Sequence, residues 1–161
     1  QRLLALRYNG TVNKEYCIAT SLNCRLDTIQ AAVLLQRFKN IESVIASRRK
    51  LAELYREELQ AVVRVPVEQS YERDVYYTYQ IQTPKRDALK QFLEERGIET
   101  KIQHAFLMCQ QSIYQKYLHA PVVRAEKIVK ENLCLPTHEK LSLPEVRHEI
   151  DSVMSFFDAG K

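Results

Sequence analysis

The chain has 161 residues, and its 24 Lys+Arg against 20 Asp+Glu leave a formal charge of +4. With 45% hydrophobic and 27% charged residues it has the composition of a globular domain, long enough to bury about two-thirds of its unfolded surface. Its three glycines, Gly10, Gly97 and Gly160, cannot assemble a GxGxxG or Walker A phosphate loop, and no apolar run approaches the ~18 residues of a membrane span.

Residues 1–26 read as mostly irregular. The chain opens on Gln1 without a basic n-region and apolar h-region, so no signal peptide is expected, and an opening in mid-pattern suggests a piece of something longer. From Asp27, a candidate N-cap, apolar residues recur at Ile29, Val33, Ile41, Val44, Leu51, Ala52, Tyr55 and Leu59, which predicts one long helix over 27–59. Ile29, Ala31, Ala32, Val33, Leu34 and Leu35 are apolar nearly all round that helix. A helix apolar on every side is buried on every side, so this half is expected to pack against something outside the chain.

Residues 62–67 (Val62-Val63-Arg64-Val65-Pro66-Val67) and 75–83 predict two strands, the second tyrosine-rich and closed by Pro84. Arg86 to Arg96 predicts an amphipathic helix stopped by Gly97 as a left-handed cap. Residues 98–104 alternate as a third strand, and 112–118 and 122–132 look helical. Leu133-Cys134-Leu135-Pro136 reads as a short buried connection or edge strand, and Ser142 with Glu145 has the spacing of a capping box opening a last helix to about Phe157. The expected fold is α+β: a long N-terminal helix, then a small, mainly antiparallel sheet with helices packed on it. The expected division is 1–60 for the N-terminal segment and long helix, and 61–161 for the small α+β domain.

Chemistry is sparse. Cys17, Cys24, Cys109 and Cys134 show no CxxC spacing, and no His stands at a metal-ligand interval, so no metal site is expected and the thiols read as reduced, cytoplasmic ones. His119, His138 and His148 read as surface or cap residues, and Asn9-Gly10-Thr11 as a chance sequon. Acids and bases are interspersed, as in Tyr55-Arg56-Glu57-Glu58, and Arg48-Arg49-Lys50 sits in a helical pattern as a solvated face. The clustered cations and interleaved aromatics of a nucleic-acid surface are missing.

Several segments carry a resemblance. Asn23-Cys24-Arg25-Leu26-Asp27-Thr28-Ile29-Gln30-Ala31-Ala32 resembles the N-x-R-(L/M)-(D/S)-x-(I/L)-Q-A-A signature of the DegT/DnrJ/EryC1/StrS sugar aminotransferases. Leu6-Arg7-Tyr8-Asn9-Gly10 looks like that family's L-R-x-H-G, with Asn9 in place of His. Tyr79-Gln80-Ile81, Arg86-Asp87-Ala88-Leu89 and Gly97-Ile98 resemble its Y-x-(I/V), R-D-x-L and G-I run. Thr100-Lys101-Ile102-Gln103-His104 resembles the approach to its H-Y-P, although Ala105 and Phe106 replace Tyr and Pro. Leu133-Cys134-Leu135-Pro136-Thr137-His138 with Leu141 resembles its closing L-x-L-P-x-H element.

The resemblance implies the C-terminal portion of a pyridoxal-phosphate (PLP) enzyme acting on a nucleotide-linked keto-sugar with an amino-acid donor, in amino-sugar biosynthesis. It implies a homodimer, a large cofactor domain that lies upstream and is absent here, and a Schiff-base lysine that none of these lysines represents. That lysine serves as both anchor and base, so the chain alone is expected to bind no PLP, to have no catalytic residues of its own and to be inactive. It further implies that Asn23 reaches the cofactor phosphate of the neighbouring subunit, the alternative being a turn cap before Asp27. Arg25 either supports the same anion or pairs with Asp27. His104 is implied near the sugar, the alternative being a satisfied buried histidine. A competing reading is a stand-alone α+β binding or regulatory module that self-associates through its apolar helix.

Overall fold

The computed structural model describes residues 2–117 and 120–158. The chain divides into two compact units, Gln1–Glu42 and Ser43–Lys161. No helix among the described residues is long and apolar enough to cross a membrane.

The first unit is more regular than its sequence suggests. Helix α1 (Arg2–Leu6) is followed by a two-stranded hairpin, β1 (Thr11–Val12) and β2 (Tyr16–Cys17), paired antiparallel. Asn9 and Gly10 both take left-handed φ, +53° and +69°. A side chain on Gly10 would collide with the Ala19 carbonyl, so only glycine allows this turn. Helix α2 (Thr28–Phe38) starts at Asp27 as expected, with Gln30 Oε1 accepting from the Asp27 N–H at 3.2 Å.

The helical stretch over 27–59 is two helices, α2 and α3 (Ile41–Leu59), interrupted at Lys39 and Asn40. The Asn40 N–H reaches back only three residues, to Arg37 O at 3.1 Å. A tightened turn at an asparagine, whose side chain competes for backbone partners, ends α2 there.

The second unit holds the core. On α3, Ala52, Tyr55 and Leu59 are buried at the three-and-four spacing of one face. Strands β3 (Tyr79–Gln82) and β4 (Asn132–Leu135) pair antiparallel, with Tyr79 opposite Leu135 and Ile81 opposite Leu133. β3 alternates buried Tyr79 and Ile81 with half-buried Gln80 and Gln82, whereas β4 is buried throughout. Leu89 and Leu93 of α4 (Arg86–Glu94), and Val146, Ile150 and Val153 of α6 (Leu143–Asp158), complete the cluster. Each such Leu, Ile or Val side chain contributes roughly 1.5–3 kcal/mol by leaving water. Helix α5 (Val123–Glu131) runs directly into β4.

The expected caps hold. Gly97 has φ +75°; its N–H bonds to Glu94 O at 3.0 Å and that of Ile98 to Leu93 O at 2.9 Å, which is a Schellman motif. Ser142 and Glu145 form the capping box, with the Ser142 N–H donating to Glu145 Oε2 at 2.7 Å.

Four expected elements shrink: the strand expected over 75–83 is reduced to Tyr79–Gln82, with Tyr76 at φ +44° before it. Within 62–67 only Arg64 pairs, with Gln82, and within 98–104 only Lys101 pairs, with Cys134. Pro66 has no N–H for a ladder, and Arg49 of α3 captures Glu68 through two bonds of 2.7 Å, Nη1 to Oε1 and Nη2 to Oε2. In 112–118 the helix is a single 3₁₀ turn, Gln115–Tyr117; Leu118 and the neighbouring His119 lie outside the described residues.

Candidate functional site

In the first unit the two sequence motifs nearest the N-terminus come together. The Cys24 N–H donates to Arg7 O at 2.9 Å and the Asn9 N–H to Leu22 O at 3.3 Å, which sets Tyr8 and Asn23 opposite each other as an antiparallel bridge. The ladder bonds fall on the flanking residues, so Tyr8 and Asn23 are a non-hydrogen-bonded pair, the arrangement that brings side chains closest. Arg25, two residues on, shares the Asn23 face.

Three side chains meet there. Arg25 Nε donates to Asn23 Oδ1 at 3.0 Å, and the guanidinium carbon lies 4.6 Å from the centre of the Tyr8 ring. Arginine only donates, so the amide atom facing it is the oxygen. Asn23 Nδ2 then points its two hydrogens elsewhere, and no described residue accepts from it. Arg25 does not pair with Asp27; no carboxylate among the described residues forms an ion pair with it. The result is an exposed cation beside unused amide donors, chemistry suited to a phosphate or carboxylate. Tyr8 occupies the variable position of its motif, and the residue pattern gave no reason to single it out.

His104 belongs to the second unit and is exposed, so the buried-histidine alternative does not hold. It lies on the irregular segment after the Lys101 bridge. That unit contains a cleft of about 620 Å³ between residues 97–103 and 134–141, with Lys101, His138, His148 and Glu149 on its walls; His104 does not line it. His138 Nδ1 accepts from the Lys140 N–H at 3.2 Å and His148 Nε2 lies 3.2 Å from Arg96 O, so both act as surface turn and cap residues, as expected.

Two buried groups at this cleft escape the sequence reading. Tyr55 Oη contacts Glu149 Oε2 and lies 3.0 Å from the Pro136 carbonyl oxygen. Burial pushes the Tyr55 phenol far above its usual value, reinforced by its hydrogen bond to Glu149. Burial likewise raises the Glu149 carboxyl and the Cys134 thiol. In the sequence Tyr55 lies on the apolar face of its helix and nothing singles out Glu149; nothing local joins them. The described residues contain no group of His, Cys, Asp and Glu able to hold a metal, and Cys17, Cys24, Cys109 and Cys134 are free thiols.

The chain is similar to known proteins over nearly all its length. The "Pleiotropic regulatory protein" of Geobacillus stearothermophilus is 29% identical over 98% of this chain and 44% of its own. The UDP-N-acetyl-3-dehydro-α-D-glucosamine 3-aminotransferase of Acidithiobacillus ferrooxidans is 30% identical over 92% of this chain and 39% of its own. The crystal structure of a DegT DnrJ EryC1 StrS aminotransferase from Brucella abortus superposes with a TM-score of 0.89 at 30% identity, over 97% of this chain and 43% of that one. The chain therefore spans less than half the length of these relatives. The model of the DegT/DnrJ/EryC1/StrS aminotransferase family matches residues 1–154, and the chain belongs to that family.

Proposed function

We propose that this chain is the C-terminal portion of a cytoplasmic, PLP-dependent aminotransferase that transfers an amino group from an amino acid to a nucleotide-linked keto-sugar, and that it works as a homodimer. The observation that carries this reading is the family match over residues 1–154 at under half the length of the relatives. The residues present fit the anionic end of the cofactor, because Asn23 offers amide donors beside the Arg25 cation. PLP, when bound, supplies the electron sink for amino-group exchange. In this reading Asn23 donates to the phosphate of the neighbouring subunit's PLP, Arg25 balances its charge, and the Tyr8 ring holds Arg25 over its face. His104 is proposed to lie near the sugar, its exposure leaving both ring nitrogens accessible.

The cofactor domain and its anchoring lysine are proposed to lie in an upstream segment, so the 161-residue chain by itself transfers nothing. The test compares this chain with the complete reading frame, using Glu or Gln as donor and a nucleotide-linked keto-sugar as acceptor. The complete protein is expected to transfer the amino group, and the chain alone to neither transfer it nor retain PLP through gel filtration. Transfer by the chain alone overturns the proposal.

The second reading, a self-associating regulatory module, draws on the name of the Geobacillus relative and on the exposed apolar face of α2. A reading frame that does not extend upstream of Gln1 into a segment with a lysine-anchored PLP pattern would favour it over the first.

A further inference from the structure

Tyr55, Glu149 and Pro136 bring together α3, α6 and the exit of β4. A phenol carries one hydrogen, and a proline carbonyl can only accept. Were Glu149 ionised, the single Tyr55 hydrogen would face two acceptors and could serve only one, with Glu149 only 5% exposed and Pro136 half-buried. A protonated Glu149 removes the conflict, because each group then gives one hydrogen to the next.

We propose that at and below the ordinary carboxylate range Glu149 is protonated and donates to Tyr55 Oη, which donates to the Pro136 carbonyl, so that a neutral relay clamps the β4 exit turn to α3 and α6 and releases it as pH rises above that range. Burial, which opposes the charged form, is the leading cause that favours the neutral acid. A hydrogen bond donated by Tyr55 opposes it, Glu145 on the same helix adds to it by repulsion, and His148 opposes it. Tyr79 of β3 faces Tyr55, its ring centre 5.0 Å away. Lys101 also lines the cleft that the turn borders, and His138 lies on the turn itself. Pro136, Thr137 and His138 form one wall of that cleft, so the relay ties that wall to α3 and α6. The relay lies wholly in the second unit and holds whether or not the aminotransferase reading does.

The sign follows from the direction of the shift. A carboxyl raised in the folded chain contributes stability that is present at and below the ordinary carboxylate range and is lost as pH climbs to the raised value. Across that window the unfolding constant of the 161-residue chain rises by up to about tenfold per pH unit, the slope of one proton.

Carbon-13 NMR of glutamate-labelled chain reads the carboxyl directly. The Glu149 resonance, assigned by its loss in Glu149→Gln, is expected to titrate above those of the exposed glutamates. Glu149→Gln keeps a neutral donor, so it should retain the wild-type melting temperature at low pH and lose the one-proton slope. Glu149→Ala should melt lower throughout. The proposal is overturned if Glu149 titrates with the exposed glutamates, if Glu149→Gln keeps the slope, or if it melts as low as Glu149→Ala.

Discussion

Arg25 lies across the ring of Tyr8 and donates to the side-chain oxygen of Asn23, so the arginine orients the asparagine as well as charging its surroundings. The strained turn at Asn9 and Gly10 makes this possible by returning the chain so that Tyr8 faces Asn23. A short glycine turn, a cation–π contact and one hydrogen bond thus convert two separated motifs into a single donor surface.

In the complete protein Asn23→Ala is expected to weaken PLP retention by about 1–2 kcal/mol, between an ordinary hydrogen bond and one to a charged group. Arg25→Met, which keeps the stem over Tyr8 and removes the charge, should weaken it as well. Thermal unfolding of the 161-residue chain should barely change with Asn23→Ala, because the side chain is exposed. Asn23 is a turn residue and nothing more if the chain melts markedly earlier while the complete protein keeps its cofactor.

The elements legible in the sequence are those whose determinants are local. Gly97, Ser142 with Glu145, and Asp27 with Gln30 each end or start a helix within a few residues of themselves, and the α4 and α6 faces follow from spacing alone. The pattern over 62–67 looked like a strand because valines alternate there, yet pairing depends on Pro66 and on the distant Arg49–Glu68 contact. Likewise Ile98 is committed to the cap after α4, which leaves Lys101 alone to pair. At the candidate site Asn23 was legible through its motif. Tyr8 and the Tyr55–Glu149 contact were not, because each depends on chain segments brought together only by folding.

The tyrosines of the core should respond oppositely to loss of a hydroxyl. Tyr79 is 1% exposed, and its Oη has no hydrogen-bond partner among the described residues. A buried unmet hydroxyl costs about 1–3 kcal/mol, so Tyr79→Phe is expected to stabilise the chain by about 1 kcal/mol. Tyr55→Phe strips partners from Pro136 and Glu149 and should destabilise it by about 1–3 kcal/mol. Urea denaturation of the two variants at one pH measures both signs.

Glu68 offers an acid-side counterpart to Glu149. Its hydrogen bonds from Arg49, followed by that from the Asp74 backbone, push its carboxyl down to about 2 from 4.5. A lowered folded value contributes stability that is present above 4.5 and lost as pH falls through about 2. Glu68→Gln should therefore unfold more readily at neutral pH and converge with wild type near pH 2. Parallel stability curves between those limits would mean that Glu68 does not hold the loop.

The last expectation concerns α2, which buries no residue of its own. Ile29 and Phe38 are 80% and 70% exposed, and Val33, Leu34 and Leu35 are also open to solvent. Burying a Leu, Ile or Phe is worth roughly 1.5–3 kcal/mol each, so a contiguous apolar face of this kind marks an interface. In the homodimer reading its occupant is a second copy of the chain or the upstream domain. Replacing both Leu34 and Leu35 with Lys places two charges on that face without touching the core of the second unit, whose buried residues all lie beyond Ser43. Sedimentation should show an oligomer turning into a monomer, while circular dichroism and the melting of the second unit stay unchanged. A wild-type chain that is already monomeric, together with a double variant that loses its fold, would show that α2 is ordinary core and that its exposure has no partner to answer it.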